Sequence, residues 1–147
     1  MPIDSDMLVQ AEALAREKAR APYSRFRVGA ALLTRSGKII TGANVESASY
    51  GRTCCAERVA LFKALTEGQD DFAAIATVAD ALGGAPPCGA CRQLLAEYAP
   101  RAVILLAGSG DLTQIREFTC QELLPHPFVF DGQSTREPAS PSGSPSK

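Results

Sequence analysis

The chain has 147 residues, 46% hydrophobic and 21% charged, a balance that fits one globular domain with a short tail and excludes collagenous, coiled-coil and wholly disordered chains. Fifteen Lys+Arg against 16 Asp+Glu leave a net charge of −1, without the basic excess of a protein that neutralises many phosphates, so no nucleic-acid partner is expected. The acidic start Met1-Pro2-Ile3-Asp4-Ser5-Asp6 lacks the pattern of a secretory signal, and the longest strongly apolar run, residues 102–107, is far below the ~18–20 residues of a membrane span. An odd set of five cysteines then points to metal or redox chemistry before disulfides, and to a cytoplasmic protein with no membrane partner.

Met7, Leu8, Ala11, Leu14 and Ala15 recur at helical spacing behind Asp4 and Ser5, either of which can cap the first turn, and Pro22 ends the helix. Val28–Thr34 and Ile39–Ala43 flank Arg35-Ser36-Gly37-Lys38 as a β-hairpin. Neither run alternates cleanly with polar residues, which predicts cover on both faces of the sheet. Helical spacing returns from Cys55 to about Glu67, with Gly68 as the stop. A β-rich run over 75–79 precedes the breaker Gly83-Gly84-Ala85-Pro86-Pro87 and a short helix from Gly89 to Tyr98, closed by Pro100. A strand over 103–106, a turn over 108–111 and a short strand near 112–117 follow, and Thr119 with Glu122 has capping-box spacing. Residues 132–147 are Ser/Pro-rich with no large apolar side chain, so a disordered tail is expected behind a domain over 1–131. The order of elements predicts a three-layer α/β domain around a mixed sheet.

The chemistry starts at Cys88-Gly89-Ala90-Cys91. A lone C-x-x-C reads as half a zinc site, a redox pair or coincidence. Here it opens a helix, whose free N–H groups and dipole favour thiolate. Cys55 is the candidate third ligand and also begins a helix. Three protein ligands leave the fourth tetrahedral position to water, which marks catalytic zinc, whereas structural zinc takes four. Among candidates for a fourth ligand, Cys54 adjoins Cys55 and neighbours rarely reach one ion, Cys120 reads as a small buried hydrophobe, and His126 between prolines reads as surface. Glu57 can be a first-turn carboxylate that suits the helix dipole. Two residues beyond a metal ligand, it can also reach the water in the open position and move its proton. Arg58 can be a solvated helix-face residue, or can donate to the thiolates and offset their charge.

Cys55-Ala56-Glu57 followed by Pro87-Cys88-Gly89-Ala90-Cys91 resembles the zinc nucleobase deaminases. The chain is also similar to one subgroup, the small homotetrameric cytidine deaminases of pyrimidine salvage. The likeness lies at Tyr23-Ser24-Arg25-Phe26-Arg27-Val28-Gly29-Ala30-Ala31, at Gly42-Ala43-Asn44-Val45-Glu46-Ser47-Ala48-Ser49-Tyr50, at Cys55-Ala56-Glu57-Arg58, from Pro87 to Gln93, and at Leu123-Leu124-Pro125 with Phe128. It spans about residues 8–128. The resemblance implies an α/β/α sandwich around a mixed five-stranded sheet and one Zn²⁺ per chain held by Cys55, Cys88 and Cys91. It implies Glu57 as the proton carrier in hydrolysis of cytidine and 2′-deoxycytidine to the uridines and ammonia. It further implies ribose contacts from Asn44 and Glu46, a pocket wall at Phe26, and backbone contacts to the base at Ala56. Tyr50 would stand at a subunit boundary and Phe128 would reach a neighbouring subunit's site. Ser47 replaces a more usual asparagine, Pro125-His126-Pro127-Phe128 replaces a looser turn, and the tail has no counterpart. A polynucleotide deaminase is disfavoured by the acidic balance of charge, and three other rivals remain at this point. They are a blasticidin-type deaminase of a modified cytosine nucleoside, a zinc-stabilised binding module with a fourth protein ligand, and a thiol redox module.

Overall fold

The computed structural model describes residues 3–130, so the tail expected over 132–147 lies outside the described residues. Helix α1 (Ser5–Arg16) is started by Asp4, whose carboxylate accepts the Met7 N–H at 3.0 Å and satisfies one of the donors a helix start leaves free. It stops at Arg16, well before Pro22. The Arg20 N–H is already donated to the Asn44 C=O at 2.9 Å, and the Arg20 C=O accepts from Glu46 at 2.8 Å, drawing this segment into a parallel bridge with Val45.

Strands β1 (Val28–Thr34) and β2 (Ile39–Ala43) form the hairpin at its expected bounds. With β3 (Phe72–Ala79), β4 (Val103–Gly108) and β5 (Asp111–Thr119) they make a mixed five-stranded sheet in the order β2-β1-β3-β4-β5. β3 begins earlier than its β-rich run because Phe72 still pairs with Thr34, and β5 continues to Thr119, opposite Val103. β3 and β4 are the parallel pair, and the crossover that such a pair requires contains α3 (Gly89–Tyr98).

Helices lie on both faces, as the unbroken apolar strands predicted. Leu8 and Val9 of α1 pack on Ala31, Ala76, Val78 and Leu105. On the other face, Ala60 and Leu61 of α2 (Ala56–Thr66) and Leu95 of α3 pack on Leu32, Ile75 and Ile104. Full burial of each leucine or isoleucine stabilises the fold by roughly 1.5–3 kcal/mol. The helices come close because glycine stands beneath them. A Cβ at Gly42 of β2 would lie 2.5 Å from the Ala60 nitrogen and 2.8 Å from the Ala56 oxygen, and one at Gly29 of β1 would overlap the Glu12 carbonyl. Any side chain at position 42 would therefore push the start of α2 off the sheet, and the candidate acid Glu57 with it. Among the described residues, no helix is long and apolar enough to cross a membrane.

Candidate active site

The N-terminal ends of α2 and α3 converge. Cys55 caps α2 without spending its side chain on the helix, Cys88 caps α3, and Cys91 lies in the first turn of α3. The three sulfurs stand within 4.8 Å of one another, with Cys55 to Cys88 at 3.7 Å and Cys88 to Cys91 at 3.3 Å. A tetrahedral zinc with Zn–S bonds of ~2.3 Å needs sulfurs ~3.8 Å apart, so the triad is close to the size the ion demands. Among the described residues, no fourth His, Cys, Asp or Glu completes the group. Cys120 is buried and donates to the Ala99 C=O at 3.3 Å, while His126 is exposed, each as its sequence context suggested.

The electrostatics favour an ion here. A hydrogen bond from Cys91, and after it the Arg58 guanidinium, outweigh burial and pull the Cys55 thiol down to about 5. Cys91, the donor in that bond and itself buried, is pushed up. Arg58 Nη2 donates to the Thr53 C=O at 2.9 Å and lies 3.6 Å from Cys55 Sγ. Its positive charge offsets part of the negative charge that three thiolates bring to a divalent cation. Glu57, 6% exposed, is pushed up to about 7, first by burial and then by the Cys55 charge. A carboxyl in that range suits transfer of a proton in either direction.

A cavity of about 350 Å³ is lined by Tyr23, Ser24, Glu46, Ser47, Tyr50 and Thr53. Thr53 is also the residue whose carbonyl receives Arg58, so cavity wall and thiol cluster belong to one network. Glu46 accepts from the Ser24 hydroxyl, the Tyr23 N–H at 3.0 Å and the Ser24 N–H at 3.1 Å. These bonds, the Ser24 hydroxyl foremost, hold its carboxyl below the usual range and keep it an acceptor. Asn44 Oδ1 accepts the Val28 N–H at 2.9 Å and its Nδ2 donates to the Phe26 C=O at 2.8 Å. One amide hydrogen of Asn44 is left for another acceptor. Tyr50 opens the 3₁₀ turn Tyr50–Arg52 and meets Tyr23 edge-on at 6.4 Å.

The structure thus brings Cys55, Cys88, Cys91, Glu57 and Arg58 together, with Ala56 fully buried between ligand and acid. It gathers Phe26, Asn44 and Glu46 around the Tyr23-Ser24 turn. Phe26, Asn44 and Phe128 are not among the residues lining the cavity within one chain, and Phe128 is 69% exposed. Sequence reasoning assigned no role to Ser24, Thr53 or Gln93, although all three stand in or beside the quoted motifs. The partners of Ser24 and Gln93, Glu46 and Phe128, are distant in the chain, while Thr53 bonds nearby Ser47 and Arg58 without a motif to mark it.

A pocket of three thiols with a buried acid beside it, set on an α/β/α sandwich, defines a zinc-dependent hydrolytic site. Residues 1–107 match the family model described as the cytidine and deoxycytidylate deaminase zinc-binding region. A cytidine deaminase of Halalkalibacterium halodurans is 54% identical over 131 residues, covering 88% of this chain and 97% of that protein. The crystal structure of a cytidine deaminase from Burkholderia pseudomallei is similar with a TM-score of 0.81 at 46% identity, over 86% of this chain and 100% of that one. A blasticidin-S deaminase of Bacillus cereus is 34% identical over 122 residues, covering 76% of this chain and 85% of that protein. The chain belongs to the zinc-dependent cytidine deaminase family.

Proposed function

We propose that the chain hydrolyses cytidine and 2′-deoxycytidine to uridine and 2′-deoxyuridine with release of ammonia. The observation that carries this is Glu57, a buried carboxyl two positions from Cys55 of the three-thiol cluster. Bound by Cys55, Cys88 and Cys91, Zn²⁺ supplies the Lewis acidity that lowers the pKa of water from ~15.7 toward neutrality. Glu57 takes a proton from the attacking water and delivers it to ring N3, which makes C4 electrophilic as the hydroxide adds there. Glu57 then takes the proton of the new C4 hydroxyl and carries it to the exocyclic amine, and the C4–N bond breaks as the C4 carbonyl forms and ammonia leaves. One carboxylate serves every transfer because each acceptor lies close to the last.

Asn44, with its remaining N–H, and Glu46, held as an acceptor by Ser24, bind the ribose hydroxyls in this reading. Phe26 walls the pocket and the Ala56 backbone contacts the base. Tyr50 and Phe128 act at the boundary between copies of a homotetramer, Phe128 stacking near the base of a neighbouring site. Their exposure in the single chain, 78% and 69%, supports a partner surface over them, and the exposed Val129 and Phe130 directly after Phe128 add apolar area there. Five free cysteines support a reducing, cytoplasmic setting, and a free nucleoside substrate supports a place in pyrimidine salvage. Ordinary cytidine is favoured over a modified nucleoside because identity is 54% to the Halalkalibacterium cytidine deaminase and 34% to the blasticidin-S deaminase.

Purified protein incubated with cytidine is expected to release ammonia and form uridine, to stop on chelation, and to recover with added zinc. A zinc-loaded preparation that turns over blasticidin S but not cytidine, or neither, overturns the reading. Substituting Cys55→Ala or Cys88→Ala is expected to lower bound zinc from one ion per chain to less than about half, because two thiolates hold the ion far less tightly than three. Undiminished zinc by metal analysis in either variant removes that residue from the ligand set.

A further inference from the structure

Arg92 and Gln93 follow directly on Cys91, and both reach the end of the described chain. Arg92 Nε donates to the Pro87 C=O at 2.7 Å and its Nη1 to the Leu123 C=O at 2.9 Å. This ties the loop that opens α3 to the end of the short helix α4 (Cys120–Leu123). Gln93 makes a reciprocal pair with Phe128: the Phe128 N–H donates to Oε1 at 3.0 Å, and Nε2 donates to the Phe128 C=O at 2.8 Å. The second Nε2 hydrogen goes to Glu97 Oε1 at 2.9 Å, which fixes the sense of the amide. A side-chain amide that pairs both main-chain groups of one residue imitates a neighbouring strand. It sets the position and direction of the Phe128 Cα–Cβ bond while leaving the ring exposed. Pro125 and Pro127 have no N–H with which to anchor this stretch. Among the described residues, the two bonds to Gln93 are the hydrogen bonds made by residues 125–130.

We propose that Gln93 is a positioning residue for nucleoside binding, acting only through Phe128, whose ring it presents from the same rigid helix that carries Cys91. The proposal rests on the reading of Phe128 as a nucleoside contact. α3 then has two tasks, holding zinc at its first turn and aiming an aromatic ring from its second. Two neutral hydrogen bonds at a partly exposed site contribute enough for about a tenfold change in binding.

The experiment uses full-length, zinc-loaded protein and steady-state kinetics on cytidine for Gln93→Met, Phe128→Ala and the double variant. Methionine keeps the length and helix preference of glutamine and loses both hydrogen bonds. Gln93→Met is expected to raise KM about tenfold with kcat within about twofold and zinc content unchanged. The double variant is expected to match Phe128→Ala alone, because a residue that acts through another adds nothing once that other is gone. A KM rise in Phe128→Ala without one in Gln93→Met overturns the positioning role and leaves the reading of Phe128 standing. Wild-type kinetics in Phe128→Ala overturn both. Additive effects in the double variant, or loss of zinc or of the folded state in Gln93→Met, assign Gln93 to the general frame and also overturn the proposal.

Discussion

Glu57→Gln is expected to keep its zinc and lose about 10²–10⁴ in kcat on cytidine, the range typical of a general acid/base. Glutamine has nearly the volume of glutamate and the same helix preference, so the buried first turn of α2 is not disturbed. The sulfurs of Cys55, Cys88 and Cys91 lie within 4.8 Å of one another without Glu57 among them, so metal content is expected to stay at one ion per chain. What disappears is a group that accepts and returns protons: an amide can hydrogen-bond to water or to N3 but can transfer a proton to neither. Because the same carboxyl serves both the addition and the departure of ammonia, no step escapes the loss. Glu57→Ala is expected to fall at least as far, since it also opens a void beside the cluster. A purified Glu57→Gln enzyme with full zinc and kcat within about tenfold of wild type would remove the role assigned to this residue.

The parts of the fold and site that were legible in the sequence are those set by local pattern. The hairpin bounds were readable because Val28–Thr34 and Ile39–Ala43 are apolar runs around a turn, and the structure keeps both. The thiol cluster was readable because each cysteine sits at a helix start, so that placing three sulfurs together required only that two helix ends meet. β5 was harder. Its partly buried residues Leu112, Ile115 and Phe118 come three apart on an exposed edge strand, without the alternation that marks a strand. The Ser24–Glu46 and Gln93–Phe128 contacts join residues 22 and 35 positions apart, and no local pattern announces them. The helical spacing of α1 was legible, but which of its residues are buried was not. The apolar residues at its spacing include Met7 and Leu14, which are 51% and 73% exposed, while the buried line is Leu8, Val9, Glu12 and Ala15. A glutamate occupies a core position there, and a count of apolar residues cannot find it.

Glu12 therefore makes the stability of the fold depend on pH from within α1. Its side chain is fully buried, and neither carboxyl oxygen has a hydrogen-bond partner. Burial, and after it the charge of Glu57, push the carboxyl from 4.5 up to about 10. At neutral pH the folded chain keeps a proton on Glu12 that the unfolded chain releases. Stability contributed by this group is then complete below about 4.5 and falls as pH rises toward about 10, by about 1.4 kcal/mol per unit at most. Glu12→Gln preserves the shape and cannot ionise in either state. It is expected to match wild type within about 1 kcal/mol at pH 5 and to exceed it by on the order of 3 kcal/mol at pH 8, a rise in Tm of about 10 °C for a chain of this size. The measurement is thermal unfolding of the zinc-loaded protein across that range, with the variant minus wild-type difference plotted against pH so that the pH dependence of the metal site cancels. A difference that stays flat from pH 5 to pH 8 would mean that Glu12 is ionised in the fold or reached by water. A difference that widens toward alkaline pH identifies a neutral carboxyl in the core, one whose proton the folded chain holds at a cost the glutamine variant escapes.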